Sequence, residues 1–382
     1  MSRRLVRRIG YVLAAFLVLA VGVWAVVVRP RRPAIAFLDR LAGPLPSWDE
    51  MARAGARRSA GTRPTTVDVA GPAADAPRIV AVAGVTPEGV FDPRVLRVVV
   101  ALRDAGFAVT APDLVGLTHP GEDEALVDDV VAAWRRALGG DDAAAPGRVA
   151  LLGVSFGAGV VLQALARGAA GDPDPSTVSA VLLVGPPDDA EALATAWFRR
   201  PVAPPEATGA ADARSDAGLF ARHGLARAAA ARRLPPDDLA LVRAWLDAVG
   251  EAPSAATPAP AGLASPEARR LVAAVLAEAA IGADDLAWVL AAAAPFLRAS
   301  SPAAVASFAR VRAPVFLIHG VGDALIPVEA SRALAARLTS AREVEVLESR
   351  LLSHVDVGSP GVAETWRHVT FVQRFFDAAS ER

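Results

Sequence analysis

Short, nearly unbroken apolar runs separated by segments of helical periodicity recur through two stretches of this 382-residue chain, 65–186 and 311–382. Such runs are Ile79–Val82, Phe107–Ala111, Arg148–Leu152, Val178–Val184 and Val315–His319, and Thr65–Val69 and Glu343–Leu347 are further strand candidates. Strands facing water on one side alternate polar and apolar residues, whereas continuous runs need cover on both faces. Helices at Pro93–Ala105, Glu122–Leu138, Gly157–Ala169, Val328–Leu338 and Glu364–Ala378 can supply that cover. Glu122–Leu138 also opens on an acidic turn, as the helix dipole favours. The pattern predicts an α/β fold built on a doubly wound, mostly parallel sheet.

Residues 187–310 break the alternation and carry no strand signal. Ala-rich helical segments at Leu219–Ala231, Asp237–Val249, Pro266–Ala280 and Asp284–Leu297 predict a helical insertion that caps the carboxyl ends of the strands, where such sheets bind ligands. At the other end, Ile9–Val28 is a twenty-residue run without a charge, flanked by Arg3, Arg4, Arg7 and Arg8 before it and Arg29, Arg31 and Arg32 after it. At about 1.5 Å per residue such a helix spans roughly 30 Å of hydrocarbon. Its only small-x-small cleavage candidate, Ala20-Val21-Gly22, lies inside the run, which favours an uncleaved anchor over a signal peptide. The expected organisation is an anchor at 1–29, a stalk rich in Arg, Pro, Gly and Ala with one short helix at 30–64, a core at 65–186 and 311–382, and the cap at 187–310.

Composition removes several chemistries. Forty basic against forty-one acidic residues give a net charge of -1, so no basic field recruits nucleic acid. Cys is absent, which excludes disulfides, thiolate nucleophiles and Cys-held metals. Lys is absent too, which excludes Schiff-base and P-loop lysine chemistry. No His, Asp or Glu spacing suits a metal and no glycine pattern suits a dinucleotide, so no cofactor is expected.

One turn carries a nucleophile. The run Leu151-Leu152 leads into Gly153-Val154-Ser155-Phe156-Gly157 and directly into a helix. A sharp strand-to-helix turn strains the central serine, needs small neighbours, and aims the Phe156 N–H and the helix N-terminus at a developing oxyanion. A serine nucleophile needs a base, and the base needs an acid to orient it. Asp323 follows the run Val315–His319 in the turn Gly320-Val321-Gly322-Asp323, and His354 follows the last run in Leu351-Leu352-Ser353-His354.

Gly-Val-Ser-Phe-Gly at 153–157, His319-Gly320-x-x-Asp323-x-x-Ile326-Pro327 and His354, in that order, resemble the α/β-hydrolase family from about residue 65 to the end, less the insertion. Gly84-Val85-Thr86 through Asp92-Pro93-Arg94, with Ser353-His354-Val355-Asp356-Val357 and Trp366, also resemble little-studied bacterial members with an N-terminal membrane helix. The resemblance implies a catalytic triad of Ser155, Asp323 and His354, with Phe156 as one oxyanion donor. The family's usual His-Gly after the third strand is here Ala83-Gly84-Val85-Thr86, which makes Val85 the first choice for the second donor and Thr86 the alternative.

The expected activity is cleavage of an ester, thioester or related acyl bond in a small-molecule substrate, hydrophobic if the anchor and cap act together. The anchor would hold the chain as a single-pass protein of a bacterial inner membrane with its catalytic body on the periplasmic face. The competing reading is a non-catalytic scaffold that binds a ligand or protein under the cap. Asp188 and Asp189, after the strand Val178–Val184, compete with Asp323 for the acid. His119 in a loop, His223 in the cap, His319 at a strand end and His368 in a helix read as structural, and Asp356 as a solvent-facing or capping residue.

Overall fold

The computed structural model describes residues 29–53, 56–58, 64–86, 88–121, 123–139, 147–199, 213–249, 258–276, 281–350, 352 and 362–381. Among them, eight strands form one sheet: β1 (Ala56–Arg58), β2 (Thr66–Val69), β3 (Arg78–Val82), β4 (Ala108–Pro112), β5 (Val149–Val154), β6 (Val178–Val184), β7 (Val315–Gly320) and β8 (Val344–Ser349). Their spatial order is β1-β2-β4-β3-β5-β6-β7-β8. From β4 to β8 every neighbouring pair is parallel, and only β2 runs against the others, antiparallel to both β1 and β4.

The helices are α1 (Arg32–Ala42), α2 (Trp48–Arg53), α3 (Pro93–Asp104), α4 (Val115–Thr118), α5 (Leu126–Ala137) and α6 (Phe156–Arg167). Between β6 and β7 come α7 (Ala190–Arg199), α8 (Ala213–Arg233), α9 (Pro236–Val249), α10 (Pro266–Leu276) and α11 (Ala283–Ser300). The chain closes with α12 (Glu329–Arg337) and α13 (Val362–Ala379). Local chemistry sets several starts: Asp92 accepts from the Arg94 N–H ahead of Pro93 in α3, and the Asp189 carboxylate accepts from the Glu191 and Ala192 N–H groups at α7.

Successive strand residues feed opposite layers. Val80, Val82, Leu151, Leu183 and Leu317 join α5, α6 and the inserted helices in one apolar cluster. Ile79, Ala81, Leu152, Leu182, Phe316 and Ile318 join α1, α3 and α13 in the other. Strand burial on both faces is the reason the runs carry almost no polar residue.

The stalk expected at 30–64 is corrected for its described part, which belongs to the body. Helix α1 packs on α3 and α13, with Phe37 5% exposed and edge-on to Phe376 at a centroid distance of 5.4 Å. Burying that ring contributes roughly 2 kcal/mol, enough to dock a short helix that its arginines make look like a linker. Residues 56–58, also assigned to the stalk, form the outermost strand. The apolar run Ile9–Val28 lies outside the described residues, and among those described no helix is long and apolar enough to cross a membrane.

The inserted helices press on α6, the helix that follows Ser155. A Cβ placed on Gly159 of α6 would stand 1.8 Å from the Ser300 carbonyl oxygen at the end of α11. Gln163, one turn further on, donates from Nε2 to the Arg298 and Ser301 carbonyls at 2.7 and 2.8 Å.

Candidate active site

Ser155 ends β5 and caps α6 with φ 51° and ψ -126°, the one non-glycine residue with positive φ among those described. A conformation this sparsely populated costs on the order of 1–3 kcal/mol and persists only where its surroundings enforce it. Here the Ser155 N–H donates to the Val184 carbonyl of β6 at 2.7 Å, and its carbonyl accepts from the Ala158 N–H at 3.0 Å. The flanking glycines are steric requirements. A Cβ at 153 would meet Ala158 Cα at 2.6 Å, and one at 157 would meet the Ala83 carbonyl oxygen at 2.1 Å.

The loop after β3 lies against this turn, close enough that a Cβ on Gly84 would stand 2.9 Å from Ser155 Cβ. Its shape is held by the Thr86 hydroxyl, which donates to the Gly89 carbonyl at 3.0 Å, and by Asp113 Oδ1, which accepts from the Val90 N–H at 3.2 Å. Ser155, Phe156, Val85 and Thr86 line one cavity of about 610 Å³. The Phe156 ring stacks on Phe296 of α11 at 5.6 Å and meets Trp197 of α7 at 5.9 Å, so inserted helices roof the Ser155 turn.

Asp323 sits in the turn after β7 with its side chain fully buried. Oδ1 accepts from the Leu325 and Ile326 N–H groups at 2.8 and 2.9 Å, and Oδ2 lies 3.4 Å from His319 Nε2. His319 Nε2 also faces the Ile326 carbonyl at 2.8 Å, so that nitrogen carries the hydrogen and Nδ1 accepts from the Ser331 hydroxyl at 2.7 Å. His319 therefore braces the acid turn, in keeping with a structural reading. Trp197 adds a brace from the insertion, donating Nε1–H to the Leu325 carbonyl at 2.9 Å.

His354 lies outside the described residues, as does Asp356. Leu352, two residues before His354, lines the cavity with Ser155, and its N–H donates to the Ser349 hydroxyl at 3.1 Å. Ser349 in turn meets His368 Nε2 at 2.8 Å, while His368 Nδ1 donates to the Glu364 carbonyl at 2.7 Å. Both His368 nitrogens are thus engaged, although the residue lines the cavity.

The competing acids are committed elsewhere. Asp188 Oδ1 pairs with Arg337 at 2.9 Å, and Asp189 caps α7. His119 is exposed, and His223 is buried in α8 with no partner for Nε2. Burial lowers the His223 pKa to about 4. Among the described residues no group of three His, Asp or Glu side chains converges as a metal site requires.

Sequence reasoning missed three contributors. Trp197 lies in a helix that carried no assignment, the Ser349–His368 bond joins residues with no local pattern, and α1 lines the cavity from the supposed stalk. The signal for α1 was present as Ile35, Leu38 and Leu41 at helical spacing.

A family profile described as the α/β hydrolase fold matches residues 91–355, more than half of the chain and the stretch that holds Ser155, Asp323 and His354. The chain belongs to the α/β-hydrolase family. No curated protein matches it. Among solved structures, this hydrolase is similar to a membrane phospholipase A described as a bacterial virulence factor, at 19% identity over 98% of this chain and 100% of the other, with a TM-score of 0.42. It is similar to an esterase from a Rhodococcus species at 19% identity over 85% and 99%, with a TM-score of 0.40. A mouse α/β-hydrolase domain-containing protein matches at 17% identity over 85% and 99%, with a TM-score of 0.41. Scores this low leave the finer reading of the hydrolase to its own site.

Proposed function

We propose that this chain is a membrane-anchored serine hydrolase that cleaves an ester or related acyl bond through Ser155, His354 and Asp323. The observation that carries the reading is the strained Ser155 turn, set at the carboxyl ends of the parallel strands in a cavity it shares with Val85, Phe156 and Leu352.

In this mechanism His354 takes the Ser155 proton as the hydroxyl oxygen attacks the substrate carbonyl, forming a tetrahedral oxyanion. The Phe156 and Val85 N–H groups stabilise that charge, and losing one such donor raises the barrier by on the order of 3 kcal/mol. The alkoxide or thiolate leaves with the proton from His354, and water then attacks the acyl-enzyme under the same base. Asp323, its Oδ1 fixed by two backbone N–H groups, keeps the imidazole oriented. Ile9–Val28 anchors the chain in the bacterial inner membrane as a single span, with the body on the periplasmic face.

Fluorophosphonate labelling of the full chain tests the chemistry. Covalent modification of Ser155 together with nitrophenyl ester hydrolysis is expected, and a folded protein with neither activity is a scaffold instead. Protease digestion of spheroplasts tests the topology: protection of residues 65–382 from external protease would put the body on the cytoplasmic face.

A further inference from the structure

The cavity at Ser155 has two arms. One lies under the inserted helices, against Trp197, Leu225 and Phe296. The other passes the strand ends into the opposite layer, where Leu152, Leu182 and Ile318 of the sheet face α1, α3 and α13. The helices contribute Ile35 and Leu38 from α1, Val95 and Val98 from α3, and Val369 and Val372 from α13. Ser155 lines the same cavity.

The two arms are not equivalent. Under the insertion, Phe156 lies within ring-contact distance of both Trp197 and Phe296, so aromatic side chains line that end. The second arm is walled mainly by aliphatic side chains, with Phe37 and Phe371 among them, and forms an apolar slot. Two arginines also line the cavity, and neither awaits a charged ligand: Arg94 is paired with Asp92 at 2.7 Å, and Arg97 donates to the Gly43 carbonyl at 3.1 Å. The whole volume, about 610 Å³, is well beyond what a small acetyl group needs and falls within the roughly 300–1,000 Å³ typical of ligand sites. Asp39 of α1 also lines the cavity, but the rest of the slot is mostly apolar, which suits a flexible hydrocarbon chain.

The geometry points to the α1–α3–α13 arm as the acyl-chain site, with α1 as the wall that sets which chain lengths are accepted. The inference rests on the acyl-transfer reading above and deepens it: the substrate class is a medium- or long-chain acyl ester, its reacting carbonyl at Ser155 and its chain directed away from the insertion. Helix α1 begins four residues after Val28, the last residue of the Ile9–Val28 run, so the wall is joined in sequence to the proposed anchor.

The test uses the full chain and a dodecyl fluorophosphonate with a diazirine at the chain end, compared with a methyl analogue. Attack by Ser155 forms the O–P bond and expels fluoride, which fixes the head before irradiation. Photo-adducts on residues 32–42, 93–104 or 362–379 are expected. Adducts confined to α7, α8 or α11 would overturn the assignment, as would labelling by the methyl probe alone. Failure of both probes would instead remove the acyl-transfer reading itself. Two substitutions add a kinetic readout. Leu38→Trp should lower the ratio of kcat/KM for dodecanoyl over acetyl esters at least tenfold, and Leu38→Ala should move the preferred length upward. An unchanged length profile in both folded variants would refute the role of α1.

Discussion

Trp197 Nε1 donates to the carbonyl of Leu325 at 2.9 Å, tying an inserted helix to the turn that holds Asp323. The same indole lies 5.9 Å from the Phe156 ring, next to the proposed nucleophile. One side chain therefore couples the insertion to both halves of the proposed machinery. Trp197→Phe keeps an aromatic ring against Phe156 and deletes the hydrogen bond, a change of about 1 kcal/mol in stability and roughly fivefold in kcat through loosening of the acid turn. Steady-state kinetics and thermal melts on the variant check this, and a lowered Tm with unaltered kcat would reduce Trp197 to a packing role.

The backbone of Ser155 gives a stability test independent of activity. Ser155→Ala and Ser155→Gly should both abolish probe labelling and hydrolysis, but glycine tolerates φ 51° and alanine does not. The glycine variant is expected to be more stable than the alanine variant by about 1 kcal/mol. Equal denaturation midpoints for the two would show that the turn stores no strain.

Asp323→Asn should lower kcat by roughly a thousandfold or more, because an amide cannot hold the imidazole as a carboxylate does. Asp188→Asn with Asp189→Asn should act on stability instead, through the Arg337 pair and the α7 cap. The assignment fails if the double variant loses more activity than the single one.

His223 makes the stability of the inserted helices depend on pH. Its buried imidazole takes up a proton only near pH 4, whereas the unfolded chain does so near 6.5. Between those values the unfolded state binds more protons, so stability falls as pH drops, by up to about 3 kcal/mol. His223→Gln removes the titration and should flatten that part of the profile. Chemical denaturation from pH 7 to 4 decides it, and parallel slopes for wild type and variant would assign the loss to other groups.

What the sequence carried openly was whatever local chemistry enforces. The apolar runs of β3, β5, β6 and β7 leave no choice but a doubly covered sheet, and Ser155 and Asp323 stand in turns whose glycines and flanking strands mark them. A short helix within 30–64 was legible, but its docking on the body was not, because Arg31, Arg32 and Arg40 surround its apolar stripe and Pro33 stands in its first turn, a combination also typical of linkers. The strand Ala56–Arg58 has three residues and two exposed arginines, which suit an outermost strand but carry no strand signal. The Asp189 cap was legible as an acidic residue before a helix, yet it competed with a catalytic reading because both roles put a carboxylate just after a strand. The Ser349–His368 bond depends on how β8 and α13 meet, which no short motif encodes.

The contact between Gly159 and the Ser300 carbonyl bears on how such an enzyme can diverge or be re-engineered. An insertion joined to its host only by two chain crossings could be exchanged for another, giving new specificity on an old scaffold. Here the end of α11 meets α6 backbone to backbone, and any side chain at position 159 would push the two apart. A chimera that transplants residues 187–310 from another hydrolase must reproduce that junction, or it will shift the helix whose first residue, Phe156, follows the serine. Changing specificity by point substitution within the cavity is the easier path for both evolution and the engineer.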